Sequence, residues 1–147
     1  MAGHEFRAVV IYVGNDVTGL ESDPTPEQVA AWFKIVADAA LARQPEAKVF
    51  CVGITPTPKR WQAHPKIMQV NAALRTMCFS NPKLNYVITA PFFLDDTGLP
   101  EAEMFVADQL HLNQAGYKLW AERIKAGLDM AGVKPSQSAK AVKKTKN

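Results

Sequence analysis

Short apolar runs alternate along this chain with longer stretches in which apolar residues recur every three to four positions. The runs occupy residues 8–13, 48–54 and 84–89, and they are rich in β-branched residues. Such runs are typical of strands that are buried on both faces of a parallel sheet. The order β-α-β-α-β-α predicts right-handed crossovers and an α/β fold of three parallel strands with flanking helices.

Capping signals mark the start of the periodic stretches. Thr25 is the predicted N-cap of the first helix, Pro26 suits its first position, Gln28 completes a capping box, and the helix should end near Gln44. Its predicted buried stripe is Val29, Trp32, Phe33, Val36, Ala37 and Ala40. A second helix is predicted over residues 65–79. The third should follow an N-cap at Asn113 and reach about residue 131.

The positive charge of the chain belongs to its end. The net charge is +3, but five lysines lie in the last fourteen residues, and the rest carries 12 basic against 14 acidic residues. We therefore expect no nucleic-acid partner. No phosphate-cradling Gly-rich loop occurs either, which argues against a nucleotide enzyme. Cys51 and Cys78 are expected to be buried, and they do not have the sequence spacing of metal ligands. Neither a metal nor another cofactor is therefore expected.

The domain organisation expected is simple. Residues 1–7 look like a ragged start or residues left from cloning, residues 8–133 form one domain, and residues 134–147 form a disordered Lys-rich tail. No apolar run is long enough for a membrane span. No charged-then-apolar leader opens the sequence, so a cytoplasmic location is expected, although full-length relatives could be exported.

Candidate chemistry lies just before the third helix, where Asp108 precedes His111 by three residues. A carboxylate at this spacing can hold one ring nitrogen of the imidazole and leave the other free, as in the Asp–His half of a hydrolytic triad. The alternative is a loop whose Asp and His are only solvated or capping. Because parallel strands end at one edge of the sheet, Gly14, Asp16, Thr55 and Thr57 are further candidates for a substrate cleft there.

Three segments of the sequence carry motifs in a recognisable order. They are VIYVGNDV at 10–17, PTPKRW at 56–61 with Asn71 in the following helix, and the stretch 104–120, in which Asp-x-x-His is followed by Leu-Asn and Gly-Tyr. Together they resemble the SGNH, or GDSL-type, hydrolases. The first segment resembles the third conserved block of that family, the second the segment between its blocks, and the third its last block.

The resemblance implies a flavodoxin-like α/β sandwich and acyl-ester hydrolysis. It implies that His111 is the general base, that Asp108 orients it and that Asn15 donates to the oxyanion. In the family a serine from the first block attacks the acyl carbonyl, and a glycine amide from the second block also binds the oxyanion. The implied substrate is a small ester or another acylated compound.

The sequence departs from the family in two ways. It begins at the third block, so the serine and glycine blocks are missing from it. Gly14 also abuts Asn15 where the family has a residue between them, which weakens the oxyanion assignment for Asn15. None of Ser22, Ser80, Ser136 and Ser138 follows a strand in a sharp turn that would expose a nucleophile.

Three functions therefore stay open. The first is an SGNH-type ester hydrolase that keeps Asp108 and His111 and has weak or no activity alone. The second is a non-catalytic binding or assembly remnant. The third is a fragment that needs an N-terminal piece or a second copy of itself. In the family's sheet another strand lies beside the one matching residues 8–13, so we expect an unpaired apolar edge there and a homo-oligomer built through it.

Overall fold

The computed structural model describes residues 5–14 and 16–134. Three parallel strands, β1 (Ala8–Tyr12), β2 (Lys48–Val52) and β3 (Leu84–Val87), form one sheet in the order β1-β2-β3. Ala8 lies opposite Lys48, and Val49 lies opposite Leu84. This arrangement confirms the predicted α/β fold.

Helices cover both faces of the sheet. Helices α1 (Pro26–Arg43) and α2 (His64–Phe79) pack on one face, where the main core contains Val49 and Cys51. Helix α3 (Gln114–Met130) packs on the other face over Phe50, Val52 and Val87. Short 3₁₀ turns at Pro58–Ala63, Ala90–Phe93 and Ala102–Met104 connect these elements. Within the described ranges, no helix is long and apolar enough to cross a membrane.

Helix α1 begins as the sequence predicts. The Thr25 hydroxyl accepts the Gln28 N–H (3.2 Å), and the Gln28 side chain accepts the Thr25 N–H (2.8 Å). The predicted buried stripe is partly wrong, because Trp32 and Val36 are 46% and 44% exposed. The face of α1 that packs on the sheet and on α2 is narrower than the predicted apolar stripe. Phe33, at the centre of that face, is fully buried.

Strand β2 ends two residues earlier than predicted. The backbone N–H of Ile54 donates to Asn71 Oδ1 (2.8 Å), and Asn71 Nδ2 donates to the Ile54 carbonyl (3.0 Å). A side chain of α2 thus replaces strand pairing for this buried residue. The contact turns the chain away from the sheet and into the loop that carries Thr55 and Thr57.

The two ends of the described chain lie together. The Arg7 guanidinium donates to the carbonyl of Lys134 (2.7 Å), and Lys48 Nζ donates to the carbonyl of Ala131. The predicted ragged start and tail lie largely outside the described residues, at positions 1–4 and 135–147. The division into these segments therefore stays a prediction.

Candidate active site

The Asp108–His111 loop holds its imidazole through one carboxylate. His111 Nδ1 lies 2.6 Å from Asp108 Oδ2, and Asp108 Oδ1 accepts the backbone N–H groups of Leu110 (2.9 Å) and His111 (3.0 Å). The hydrogen bond from the imidazole, with those from the two amides, holds the pKa of the Asp108 carboxyl well below its usual range. An ionised carboxylate only accepts. The proton of a neutral His111 ring is therefore on Nδ1, and Nε2 keeps its lone pair.

Backbone contacts fix the shape of this loop. Gln109 has φ +58°, in the left-handed region that non-glycine residues seldom adopt. Its carbonyl accepts the backbone N–H of Lys59 (3.0 Å), which ties the loop to the 3₁₀ turn after β2. The His111 carbonyl accepts the Val106 N–H (2.9 Å). The histidine thus sits on a closed turn joined to a second, separate loop.

Asn113 anchors the loop to α3, as its predicted N-cap role requires. Its Oδ1 accepts the Gly116 N–H (3.1 Å), and its Nδ2 donates to the carbonyls of Glu103 (2.6 Å) and Phe105 (3.3 Å). Gly116 leaves no room for a side chain, since a Cβ there would lie 2.3 Å from the Met104 carbonyl oxygen. This close approach explains the glycine of the Gly-Tyr pair in the last motif.

A cavity of about 490 Å³ opens beside His111 at the carboxyl ends of β1 and β2. The predicted cleft residues Gly14, Thr55 and Thr57, from the loops after β1 and β2, line it together with His111. Asp16 is exposed and is not among the lining residues. Asn15 lies outside the described residues. The side chain of His111 is 67% exposed, so its free Nε2 is accessible to a small molecule.

Tyr12 and Arg60 also line the cavity; each lies in a segment, 10–17 or 56–61, that resembles the family, but the sequence alone points to no role for either. Tyr12 packs edge-on against Trp120, with ring centroids 6.0 Å apart. Tyr12 is 39% exposed, so its burial is partial; this partial burial raises the pKa of the phenol, and the positive charge of Arg60 offsets part of that rise. In the sequence, Tyr12 belongs to an apolar strand pattern. Only its place at the end of β1 shows that it also lines the cavity.

The hydroxyls of Thr55 and Thr57 have structural partners. Thr55 Oγ1 donates to Thr89 Oγ1 (3.3 Å), which in turn donates to the Gly53 carbonyl (2.8 Å). Thr57 Oγ1 accepts the backbone N–H of Arg60 (3.2 Å). Neither threonine has the His-activated arrangement of a nucleophile. Among the described residues no group of three or more His, Cys, Asp or Glu side chains could hold a metal ion.

Comparison with known proteins places this geometry in a family. The model of the GDSL-like Lipase/Acylhydrolase family matches residues 2–119. The chain belongs to this family. It is 30% identical over 117 residues to platelet-activating factor acetylhydrolase IB subunit alpha1 of Homo sapiens, an alignment that covers 76% of the chain and 46% of that protein. This GDSL-like chain thus spans about half the length of the curated relatives it matches.

Solved structures of the same fold include two esterase or lipase proteins. One is a carbohydrate esterase family 3 protein from Talaromyces cellulolyticus, with a TM-score of 0.66, 20% identity and coverage of 88% of this chain and 60% of that one. The other is a GDSL-like lipase from Bacteroides thetaiotaomicron, with a TM-score of 0.63, 24% identity and coverage of 85% and 63%. At these identities the likeness concerns the fold.

Proposed function

We propose that this GDSL-like chain provides the general base of an ester-hydrolase site, with His111 as the base and Asp108 as its orienting partner. The observation that carries the proposal is the 2.6 Å contact between His111 Nδ1 and Asp108 Oδ2, which leaves Nε2 free beside the cavity. A base must be within hydrogen-bond reach of the proton it takes. An exposed Nε2 at the edge of a cavity satisfies that condition for a small nucleophile.

The proposed reaction is attack on the acyl carbonyl of a small ester. Nε2 of His111 takes the proton of the nucleophile while the oxygen of the nucleophile bonds to the carbonyl carbon. The tetrahedral oxyanion collapses, and the alkoxide leaves with the proton returned by Nε2. Asn15 is proposed, from the family resemblance alone, to donate to the oxyanion. Gly14, next to it, lines the same cavity.

The nucleophile has two sources in this proposal. No serine lines the cavity among the described residues, and Ser22 and Ser80 are both exposed elsewhere. With the chain alone, the attacking group is water activated by His111, and turnover is weak. With further polypeptide bound, from an N-terminal segment or a second copy, a serine hydroxyl attacks in place of water. A water molecule activated by His111 then hydrolyses the acyl-serine and releases the acid.

The exposed surface of β1 supports the second source. Val10 and Tyr12 alternate with Ile11, which faces the main core, and so share the opposite face with Ala8. They are 42% and 39% exposed, because α3 covers mainly β2 and β3 on that face. β1 is also one of the two edge strands of the sheet. We propose that a second copy or another polypeptide covers this edge, next to the cavity.

A non-catalytic binding role is the second candidate function, and one assay separates the two. The test is hydrolysis of p-nitrophenyl acetate by the purified chain, with and without a serine-directed fluorophosphonate. Weak turnover that the fluorophosphonate leaves unchanged is expected, since a site without its nucleophile keeps only residual catalysis, roughly 10³–10⁴-fold over water. No turnover above buffer would favour the binding role. Strong turnover abolished by the inhibitor would contradict water as the nucleophile of the chain alone.

We propose no nucleic-acid partner, from the charge distribution of the sequence. The cytoplasmic location is likewise proposed from the sequence alone.

A further inference from the structure

The cavity beside His111 has an uneven charge. Arg60 is the one lining residue with a permanent positive charge, and no lining residue among the described ones carries a carboxylate. Asp108 does not line the cavity, and its carboxylate accepts three hydrogen bonds from His111 and Leu110. The described lining of the cavity therefore contains one permanent positive charge and no negative one.

Arg60 is placed at this wall by its backbone. Thr57 caps the 3₁₀ turn, with its hydroxyl and its carbonyl both accepting the Arg60 N–H at 3.2 Å. Arg60 departs from helical geometry (φ −109°, ψ 22°), which kinks the turn at this residue. The adjoining residue, Lys59, is bound through its N–H to Gln109. The backbone of Arg60 and the His111 loop thus lie on neighbouring segments that a hydrogen bond joins.

The charge of Arg60 acts inside the cavity. It opposes the rise that burial produces in the pKa of Tyr12, a residue of the same lining. The rest of the lining is mainly apolar, including Ile54, Ile67, Phe105 and Leu112. Ligand sites commonly combine an apolar wall with a few convergent polar groups, at volumes near this one.

We infer that the cavity selects small esters that carry a negatively charged group, with the Arg60 guanidinium binding that group and the apolar wall binding the acyl chain. An arginine fork matches the geometry of a carboxylate or phosphate and pairs with it through two parallel hydrogen bonds. This assignment rests on the proposed function for the ester part of the ligand. The charge selectivity is a property of binding and can be measured without turnover.

The probes are monoethyl succinate and diethyl succinate, two esters that differ mainly by one negative charge. Each is titrated into the ¹⁵N-labelled chain at pH 8, and dissociation constants are read from NMR chemical shifts around the cavity. We expect the charged ester to bind roughly tenfold more tightly, as one charge-assisted hydrogen-bonded pair would give. Equal binding of the two esters would overturn the inference.

Variants assign the effect to one residue. Arg60→Gln should remove the preference for the charged ester, and Arg60→Lys should keep part of it. Lys59→Gln is the matched control. It also removes one positive charge, but the Lys59 side chain is exposed and does not line the cavity. If Lys59→Gln and Arg60→Gln reduce the preference equally, the net charge of the protein explains it and the inference fails.

The binding result is separable from catalysis. His111→Ala should keep the preference for monoethyl succinate, because the guanidinium is unchanged. A chain that shows the preference but no hydrolysis would disprove the proposed function and leave the anion site standing. A chain that hydrolyses neutral esters and shows no preference for the charged ester would disprove the anion site and leave the proposed function standing.

Discussion

The backbone N–H of Lys59 donates to the carbonyl of Gln109 across 3.0 Å. This one bond joins the turn after β2 to the loop that presents His111, and the two segments lie about fifty residues apart in the sequence. Gln109 reaches that position with φ +58°. The placement of the imidazole therefore depends on an unusual backbone conformation as well as on Asp108.

That conformation gives the first prediction. Gln109→Val should lower the free energy of unfolding by about 1–2 kcal/mol, because a β-branched residue is disfavoured in the left-handed region. Gln109→Gly is the control and should cost less, since glycine adopts positive φ readily. Urea unfolding of the two variants measures both. A Val variant as stable as the Gly variant would show that the loop does not keep this conformation in solution.

The second prediction concerns the link between α2 and the end of β2. Asn71→Leu should lower the free energy of unfolding by about 2–4 kcal/mol, because it leaves the N–H and carbonyl of the buried Ile54 without their side-chain partners. Asn71→Asp keeps an acceptor for the N–H and should lose less. A shift in the urea midpoint at constant m-value is the readout. A Leu variant of wild-type stability would mean that water replaces both bonds.

Local signals in the sequence were enough for much of the fold. The cap at Thr25, the N-cap at Asn113 and the alternation of strands and helices along the chain depend on residues close together in the sequence, and the sequence predicts each of them. The exposure of Trp32 and the early end of β2 are not predicted, because both depend on contacts distant in sequence. An apolar stripe does not indicate how wide the packed face of the helix is. The sequence around Asn71 does not indicate that its side chain binds Ile54.

The candidate site likewise contains residues that the sequence predicts and residues that it does not. The spacing of Asp108 and His111 is visible in the sequence because both partners lie in one loop. Tyr12 and Arg60 lie in the segments 10–17 and 56–61 that resemble the family, but no role could be predicted for them, since a cavity between the ends of β1 and β2 exists only after the strands are paired. A single arginine in a turn and a tyrosine in a strand have many ordinary roles.

His64 supplies a prediction about pH. Its ring stacks on Trp61 (centroids 4.2 Å apart), and its Nδ1 is buried without a hydrogen-bond partner in the described part of the chain. Burial lowers the pKa of His64 in the folded state. Between that pKa and the higher unfolded value the unfolded chain binds more protons, so stability is lost as the pH falls through the unfolded value of about 6.5.

The measurement is urea unfolding at several pH values between about 7 and 5. The wild type should lose stability on acidification, and His64→Asn should show a flatter dependence. The lowered pKa of Asp108 acts in a separate window, because its stabilisation is present above about pH 4, its unfolded value, and is lost at lower pH. Parallel curves for the wild type and His64→Asn between pH 7 and 5 would show that His64 is hydrated in the folded chain.

The exposed edge strand gives a prediction about assembly. If β1 is the contact surface, the chain should be a dimer or larger in light scattering at about 100 µM, and Val10→Lys should shift it to monomer, because a buried ammonium opposes pairing there. Val36→Lys, a substitution at similar exposure on α1, is the control and should leave the mass unchanged. A monomeric wild type, or equal effects of the two lysines, would contradict an interface at β1.

The central claim is that His111, oriented by Asp108, is the base of an ester-hydrolysing site. The most direct test is the rate of p-nitrophenyl acetate hydrolysis by the wild type, His111→Ala and His64→Ala. General-base catalysis typically contributes 10²–10⁴-fold. We predict that His111→Ala falls to the rate of buffer and that His64→Ala, which removes an imidazole outside the cavity lining, keeps the wild-type rate. Equal loss in both variants, or wild-type turnover by His111→Ala, would contradict the claim.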